Sequence, residues 1–322
     1  MSFSNPLFTP TRRPPGPSGE GRPEDADAYV FHDGRIADAV NVAMAARRPL
    51  LVTGIPGSGK SSLARAVARE KNWTYVEHVV TSRTELADLT AGFDAVRRLA
   101  DAQLHRLLPD WAYVEPGVLW WAFAPESATT RGHDPGELKA RQKRALPPVR
   151  DPGQRGQGSE TNVVVLLDEI DKAEPDLPND LLAPLDSLGF EAPGVGWIGA
   201  TREVFVVITS NGERRLPPAF LRRCAQLELL PAGETFYTEV AQHHFGTRPD
   251  TLYQDVAAEF LRYQDAAGEH GRRKPSTAEF LDTMRACLRF NERPGSARWS
   301  AIVEAVLWKD PGLPKEVVGE AR

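Results

Sequence analysis

Eight consecutive residues of this 322-residue chain, Gly54-Ile55-Pro56-Gly57-Ser58-Gly59-Lys60-Ser61, have the types and spacing of a loop that cradles phosphates. Glycines let the backbone curl until successive N–H groups point inward at an anion. Lys60 adds a compact positive charge suited to the β and γ phosphates of a nucleotide. Ser61 offers a hydroxyl to Mg²⁺, and Ser62 continues the same turn. A helix opening at Lys60 aims its positive N-terminal end at the same anion.

Two further clusters fall where apolar runs stop. Asp168-Glu169 closes the run Val163–Leu167. A carboxylate at the tip of a buried strand is held rigidly, so Asp168 is expected to organise Mg²⁺ through its water shell and Glu169 to polarise an attacking water. Two solvated acids at a strand exit are the plainer alternative. Asn211 follows the apolar run Val204–Thr209, where a neutral amide would hydrogen-bond a γ-phosphate and the attacking water. It would also serve as an ordinary turn residue. Downstream, Leu216–Cys224 reads as a short helix started by proline and ended by Arg222-Arg223. These arginines either complement a helix dipole or reach a nucleotide held by a neighbouring subunit.

The elements that must position these groups follow from periodicity. Apolar residues Ile36, Ala39, Val40, Ala43 and Met44 recur at helical spacing. Pro49–Thr53 reads as a buried strand, 60–68 as a helix and 73–80 as a second strand, the start of a parallel α/β sheet. Residues 82–108 read as helical, and 115–121 as an aromatic apolar segment that packs or pairs. Residues 125–160 lack periodicity and are expected to form a mobile insertion, with a short helix at 136–145. Order returns with the strand at 163–167, a helix over 177–188, a hairpin or loop over 190–200 and strands at 204–209 and 225–230. From Pro231 the strand-like runs stop, and helices are expected near 233–244, 251–266, 276–290 and 296–309. The last helical pair begins with Ser276 and Glu279 in a capping-box pattern.

Three regions result: a disordered tail over 1–27, an α/β domain over 28–230 and a smaller helical domain over 231–322. The tail is rich in Pro, Gly and Ser and lacks the apolar segment of a secretory signal. No apolar run approaches the ~20 residues of a membrane helix, so a cytoplasmic location without membrane contact is expected. Cys224 and Cys287 are far apart with no metal spacing and read as reduced, buried residues. The net charge of −5 argues against a dedicated nucleic-acid binder. His243-His244 point to different faces of a helix and read as structural.

The series GIPGSGKSS, VVVLLDEIDKA and VFVVITSNGERRLPPAFLRRC, with its helical tail, resembles the AAA+ superfamily. Within it, Asp168–Ala173 is similar to the DEI(D/N)(K/R)A phrase of the MoxR-like branch. The resemblance covers about residues 29–309. It implies a P-loop core with a five-stranded parallel sheet flanked by helices, then an all-helical lid. It further implies hydrolysis of ATP with Mg²⁺ between subunits of a ring, usually hexameric. On that pattern Asn211 matches the sensor-1 position. Arg223 is the better match to the arginine finger, although Arg222 stands where the branch more often has an acid, so the pair stays open. The lid cation is expected at Arg273 or Lys274, with Arg298 as the rival, and the adenine pocket near Tyr29–Val30. Residues 82–102 sit where the branch carries its insertion in helix two, and Thr84–Leu89 resembles its start.

Three functions share these parts. The first is remodelling or activation of a partner, which for MoxR-like proteins is typically a von Willebrand factor A-domain protein. The second is a nucleotide-controlled signalling or defence switch acting on a separately encoded effector. The third is a nucleic-acid-dependent motor, against which the net acidity weighs.

Overall fold

The computed structural model describes residues 6–10, 29–133, 159–231, 233–270 and 273–307. These fall into two compact units: one holds 6–10, 34–53 and 64–228, the other 29–33, 54–63 and 229–307.

In chain order the first part comprises α1 (Gly34–Ala46), β1 (Leu50–Gly54), α2 (Lys60–Glu70) and β2 (Trp73–Val79). Then come α3 (Leu86–Leu89), β3 (Ala91–Phe93), α4 (Ala95–Gln103), β4 (Val114–Pro116), α5 (Val118–Phe123) and α6 (Pro125–Thr130). After β5 (Ser159–Asp168) follow α7 (Leu177–Asp180), α8 (Leu182–Ser187), β6 (Gly189–Ala192), β7 (Gly196–Gly199), β8 (Val204–Ser210), α9 (Pro218–Leu221) and β9 (Ala225–Leu229).

A five-stranded parallel sheet in the order β2-β5-β8-β1-β9 organises the first unit. β5 and β8 are inserted between the sequential strands β1 and β2, so both edges of each are paired. Val163 to Leu167 and Phe205 to Ile208 are all buried, which shows both faces covered. The register pairs Leu167 with Ile208 and Thr53 with Ser210. β1, β5 and β8 run parallel, so they end on one edge of the sheet, and the polar residues that follow the apolar runs of β5 and β8 collect there.

Three expectations need correction. Residues 82–108 do not form one helix. Thr90 ends α3, and Gly92 lies in β3, which pairs antiparallel with β4. Gly117 seals this hairpin by donating to the Thr90 carbonyl, and a Cβ there would meet the Leu89 carbonyl carbon at 2.4 Å. The helix expected over 177–188 is two short ones. Pro184 has no N–H to give to Asp180 four residues back, so the ladder breaks near Leu181. The insertion expected over 125–160 begins with an ordered helix, α6, and closes with β5 starting at Ser159. The helix expected at 136–145 lies outside the described residues.

The tail expectation also changes at 6–10. Phe8 is buried, and the Asn41 side chain brackets it, accepting from its N–H and donating to its carbonyl, both at 2.7 Å. Residues 1–5 and 11–28 of that tail lie outside the described residues.

The second unit is helical: α10 (Glu234–Phe245), α11 (Leu252–Glu269), α12 (Thr277–Phe290) and α13 (Trp299–Val306). Its core sets Tyr237 edge-to-face against Phe260 (4.8 Å between ring centroids) and tilted against Phe280 (4.9 Å). Val30, from the segment before α1, joins that core. The Ser276–Glu279 capping box forms as the sequence pattern implies. Among the described residues no helix is long and apolar enough to cross a membrane.

Candidate functional site

The glycine loop belongs to the helical unit. Gly57 and Gly59 have φ of +77° and +88°, values that L side chains rarely adopt, and so the backbone curls as the sequence requires. Lys60 is buried, and its ammonium donates to the carbonyls of Gly54 (2.8 Å) and Ile55 (2.9 Å) within the loop. The Ser58 hydroxyl is buried with no protein partner among the described residues. Ser61 and Ser62 lie in the first turn of α2.

Two neighbours shape the loop. A Cβ at Gly57 would fall 2.0 Å from Cβ of Ser276, and the Thr277 N–H points at the Gly57 carbonyl at 3.4 Å. The N-terminus of α12 therefore packs on the loop apex, a contact that only glycine permits. A Cβ at Gly59 would have Cε2 of Tyr29 as its nearest neighbour, 3.4 Å away. Burial pushes the Tyr29 hydroxyl well above the usual tyrosine range.

Arg273 and Lys274 precede α12. Arg273 lies 3.5 Å from Glu279, the capping-box acid, and Lys274 lies across Gly268. Arg298 caps α13 and stands 4.0 Å from Glu292, mostly exposed.

In the α/β unit, the sheet edge assembles Asp168, Glu169, Thr209 and Asn211. The Thr209 hydroxyl donates to Asp168 Oδ1 and accepts from the Glu169 N–H at 2.9 Å. Glu169 itself takes left-handed backbone, φ 60° and ψ 48°, a conformation that costs a non-glycine residue roughly 1–2 kcal/mol. That turn directs its carboxylate toward Asn211, whose Nδ2 donates to Oε1 at 3.2 Å. Oε2 accepts from Lys172 Nζ at 2.6 Å. Asp171 is buried, and its Oδ2 accepts the N–H of Asn211 (3.1 Å) and of Glu213 (2.9 Å), which pins the segment after β8. Asp168, Glu169 and Asn211, three predicted residues, thus come together.

Thr209, Asp171 and Lys172 were not singled out from sequence. The signal for Thr209 was a hydroxyl residue ending an otherwise apolar run. For Asp171 and Lys172 it was the offset of two and three residues from Glu169, interpretable only once the turn is known. Arg223 pairs with Asp186 at 2.8 Å with both side chains about half exposed. Arg222 is exposed, and its carbonyl accepts from Arg48 at 2.8 Å.

The residue types fit a magnesium nucleotide. A buried ammonium, glycines with positive φ, an unpartnered buried hydroxyl and a helix N-terminus suit phosphate oxygens. Ser61 in the loop and Asp168 on the sheet edge each carry a hard oxygen of the kind that Mg²⁺ prefers.

Residues 33–189 match the family described as "AAA ATPase domain". That stretch, just under half of the chain, carries both the glycine loop and Asp168-Glu169, so the segment holding the candidate site is similar to an AAA ATPase domain. Among solved structures the chain is similar to the RuvB Holliday junction branch migration motor of Thermotoga maritima. The identity is 14% and the TM-score 0.46, over 92% of this chain and 76% of that one. No curated protein matches the chain.

Proposed function

We propose that this chain is a MoxR-like AAA+ ATPase that couples Mg-ATP hydrolysis at subunit interfaces to remodelling or activation of a partner protein. The observation that carries the hydrolytic part is the network Asp168–Thr209–Glu169–Asn211, which fixes two carboxylates and one amide on the sheet edge. The MoxR-like assignment rests on the phrase Asp168–Ala173, and a ring, usually hexameric, with a von Willebrand factor A-type partner follows from it. The net charge of −5 keeps the nucleic-acid motor the weaker reading.

Bound Mg²⁺ supplies charge neutralisation at the phosphoryl oxygens, with Ser61 and Asp168 as the residues that hold it. Each protein group then has one task. Gly54 to Ser62, Pro56 excepted, present backbone N–H groups and the Lys60 ammonium to the phosphates. Thr209 keeps Asp168 and Glu169 in fixed relation. Glu169 orients and polarises water, and Asn211 holds the Glu169 carboxylate and senses the γ-phosphate. Arg223, released from Asp186, acts on the nucleotide of a neighbouring subunit, where such a cation contributes about 10³–10⁵ in rate. Arg273 or Lys274, beside the loop apex, serves as the lid cation. Tyr29 and Val30 border the adenine.

The test is ATP hydrolysis against protein concentration, with mass photometry on the same samples, for wild type, Glu169→Gln and Arg223→Ala. The expected result is specific activity that rises with assembly, a Glu169→Gln variant that retains ATP without turnover, and an Arg223→Ala variant that assembles but is inert. Activity independent of concentration and indifferent to Arg223 would overturn the interface scheme.

A further inference from the structure

Lys172 has no role in the scheme above, yet its ammonium reaches the Glu169 carboxylate at 2.6 Å, closer than the Asn211 amide at 3.2 Å. The contact is built into the backbone. Glu169 opens a 3-10 turn over Ile170–Lys172, closed by the Lys172 N–H donating to the Glu169 carbonyl at 3.0 Å. The short turn keeps the two residues within reach of each other, and the Lys172 ammonium meets the Glu169 carboxylate across it. The Glu169 end is fixed independently, because Thr209 holds its N–H.

Both carboxylate oxygens are therefore engaged, one by an amide and one by a full positive charge. A carboxylate that polarises water needs an oxygen lone pair facing that water. A positive charge on Oε2 is the wrong environment for that task, since it both occupies the oxygen and weakens its pull on the water proton. We propose that Lys172 is a positioning residue that holds Glu169 in a resting pose and must release it before each turnover. The proposal rests on Glu169 being the residue that polarises water.

The hold is releasable. Lys172 is 41% exposed and Glu169 29%, and ion pairs this open to solvent shift a population by only about two- to fivefold. The Glu169 hydrogen bond and charge, followed by the charges of Glu213 and Asp171, raise the proton affinity of the ammonium, so it stays charged when it leaves Glu169. Asn211 does not share this freedom, because Asp171 pins its backbone. The amide contact thus persists when the ammonium leaves.

The experiment compares Lys172→Met, Lys172→Arg and Glu169→Gln in the full chain. Steady-state ATP hydrolysis is measured together with amide hydrogen exchange of the nucleotide-free protein. The expected result for Lys172→Met is a kcat raised two- to fivefold with KM unchanged, and faster exchange at 170–173 but not at 211–213. Lys172→Arg restores wild-type values of both. A kcat that falls or stays level in Lys172→Met, or exchange at 170–173 that does not change, overturns the proposal. Glu169→Gln separates the two failures: if it still turns over, the role of Glu169 itself is wrong, whereas an inert Glu169→Gln variant beside an unaltered Lys172→Met sinks the role of Lys172 alone.

Discussion

Replacing Thr209 with valine isolates the hydroxyl that links the two carboxylate residues. The side chain is fully buried in β8, and valine has the same branched shape and suits a strand, so packing is preserved. Two interactions disappear: the bond from the hydroxyl to Asp168 Oδ1 and the one it accepts from the Glu169 N–H. A hydrogen bond to a charged group contributes about 1.5–3 kcal/mol, and a donor stranded inside costs about 1–3 kcal/mol. Water reaches part of this edge, so the combined loss is taken as about 2–4 kcal/mol. In urea, with a slope of about 2 kcal/mol per molar, the midpoint of the α/β unit falls by about 1–2 M. Thr209→Ser keeps the hydroxyl and should lose far less. Turnover of the valine variant should fall at least tenfold while ATP affinity, which depends on the glycine loop, changes little. A valine variant that unfolds within about 0.5 kcal/mol of wild type and hydrolyses ATP at the same rate would refute the linking role of Thr209.

Gly57→Ala should weaken ATP binding by tenfold or more in calorimetric titration, because its φ is +77° and the new Cβ would fall 2.0 Å from Cβ of Ser276. Wild-type affinity in that variant would show that the loop and the start of α12 are not packed as described. Glu77 supplies a pH-dependent prediction. Burial pushes its carboxyl up, but hydrogen bonds from Tyr75 and Arg65, with the Arg65 charge, outweigh this and leave it below the usual range. A depressed folded-state value contributes stability above the unfolded pKa, ~4.3, that is lost as pH falls through the folded value. The stability difference between wild type and Glu77→Gln, below about 1 kcal/mol for a pair this exposed, should be steady near neutrality and vanish in acid; a difference that grows in acid contradicts the assignment. Finally, burial pushes the Cys224 thiol up to about 12 and the Cys287 thiol up to about 11. Neither should react with a thiol reagent until the chain is unfolded, and rapid labelling of the native protein would show that one of these sites opens.

Where the sequence was informative, a local physical rule was at work. The glycine loop was legible because positive φ and phosphate-facing N–H groups demand glycine at set positions. β5 and β8 were legible because strands covered on both faces must be apolar throughout, and the Ser276–Glu279 cap because its reciprocal bonds span only three residues. The misreadings came where tertiary pairing outweighed local preference. Residues 82–108 read as helical, yet Gly92 within them sits in a strand whose partner lies more than twenty residues on. Leu177–Leu188 has helical spacing, but Pro184 removes the bond that would make it one helix.

The residue types needed to bind a nucleotide and act on it, and the strand ends that carry them, are determined by the sequence alone, because each depends on a few neighbours in the chain. Which of them act on one another was decided by the sheet. Residues 168–169 and 209–211 are some forty positions apart, and only the insertion of β5 beside β8 brings the Thr209 hydroxyl between Asp168 and Glu169 and sets Asn211 against the Glu169 carboxylate. The left-handed turn at Glu169, which puts Lys172 over the same carboxylate, is likewise held by that long-range contact.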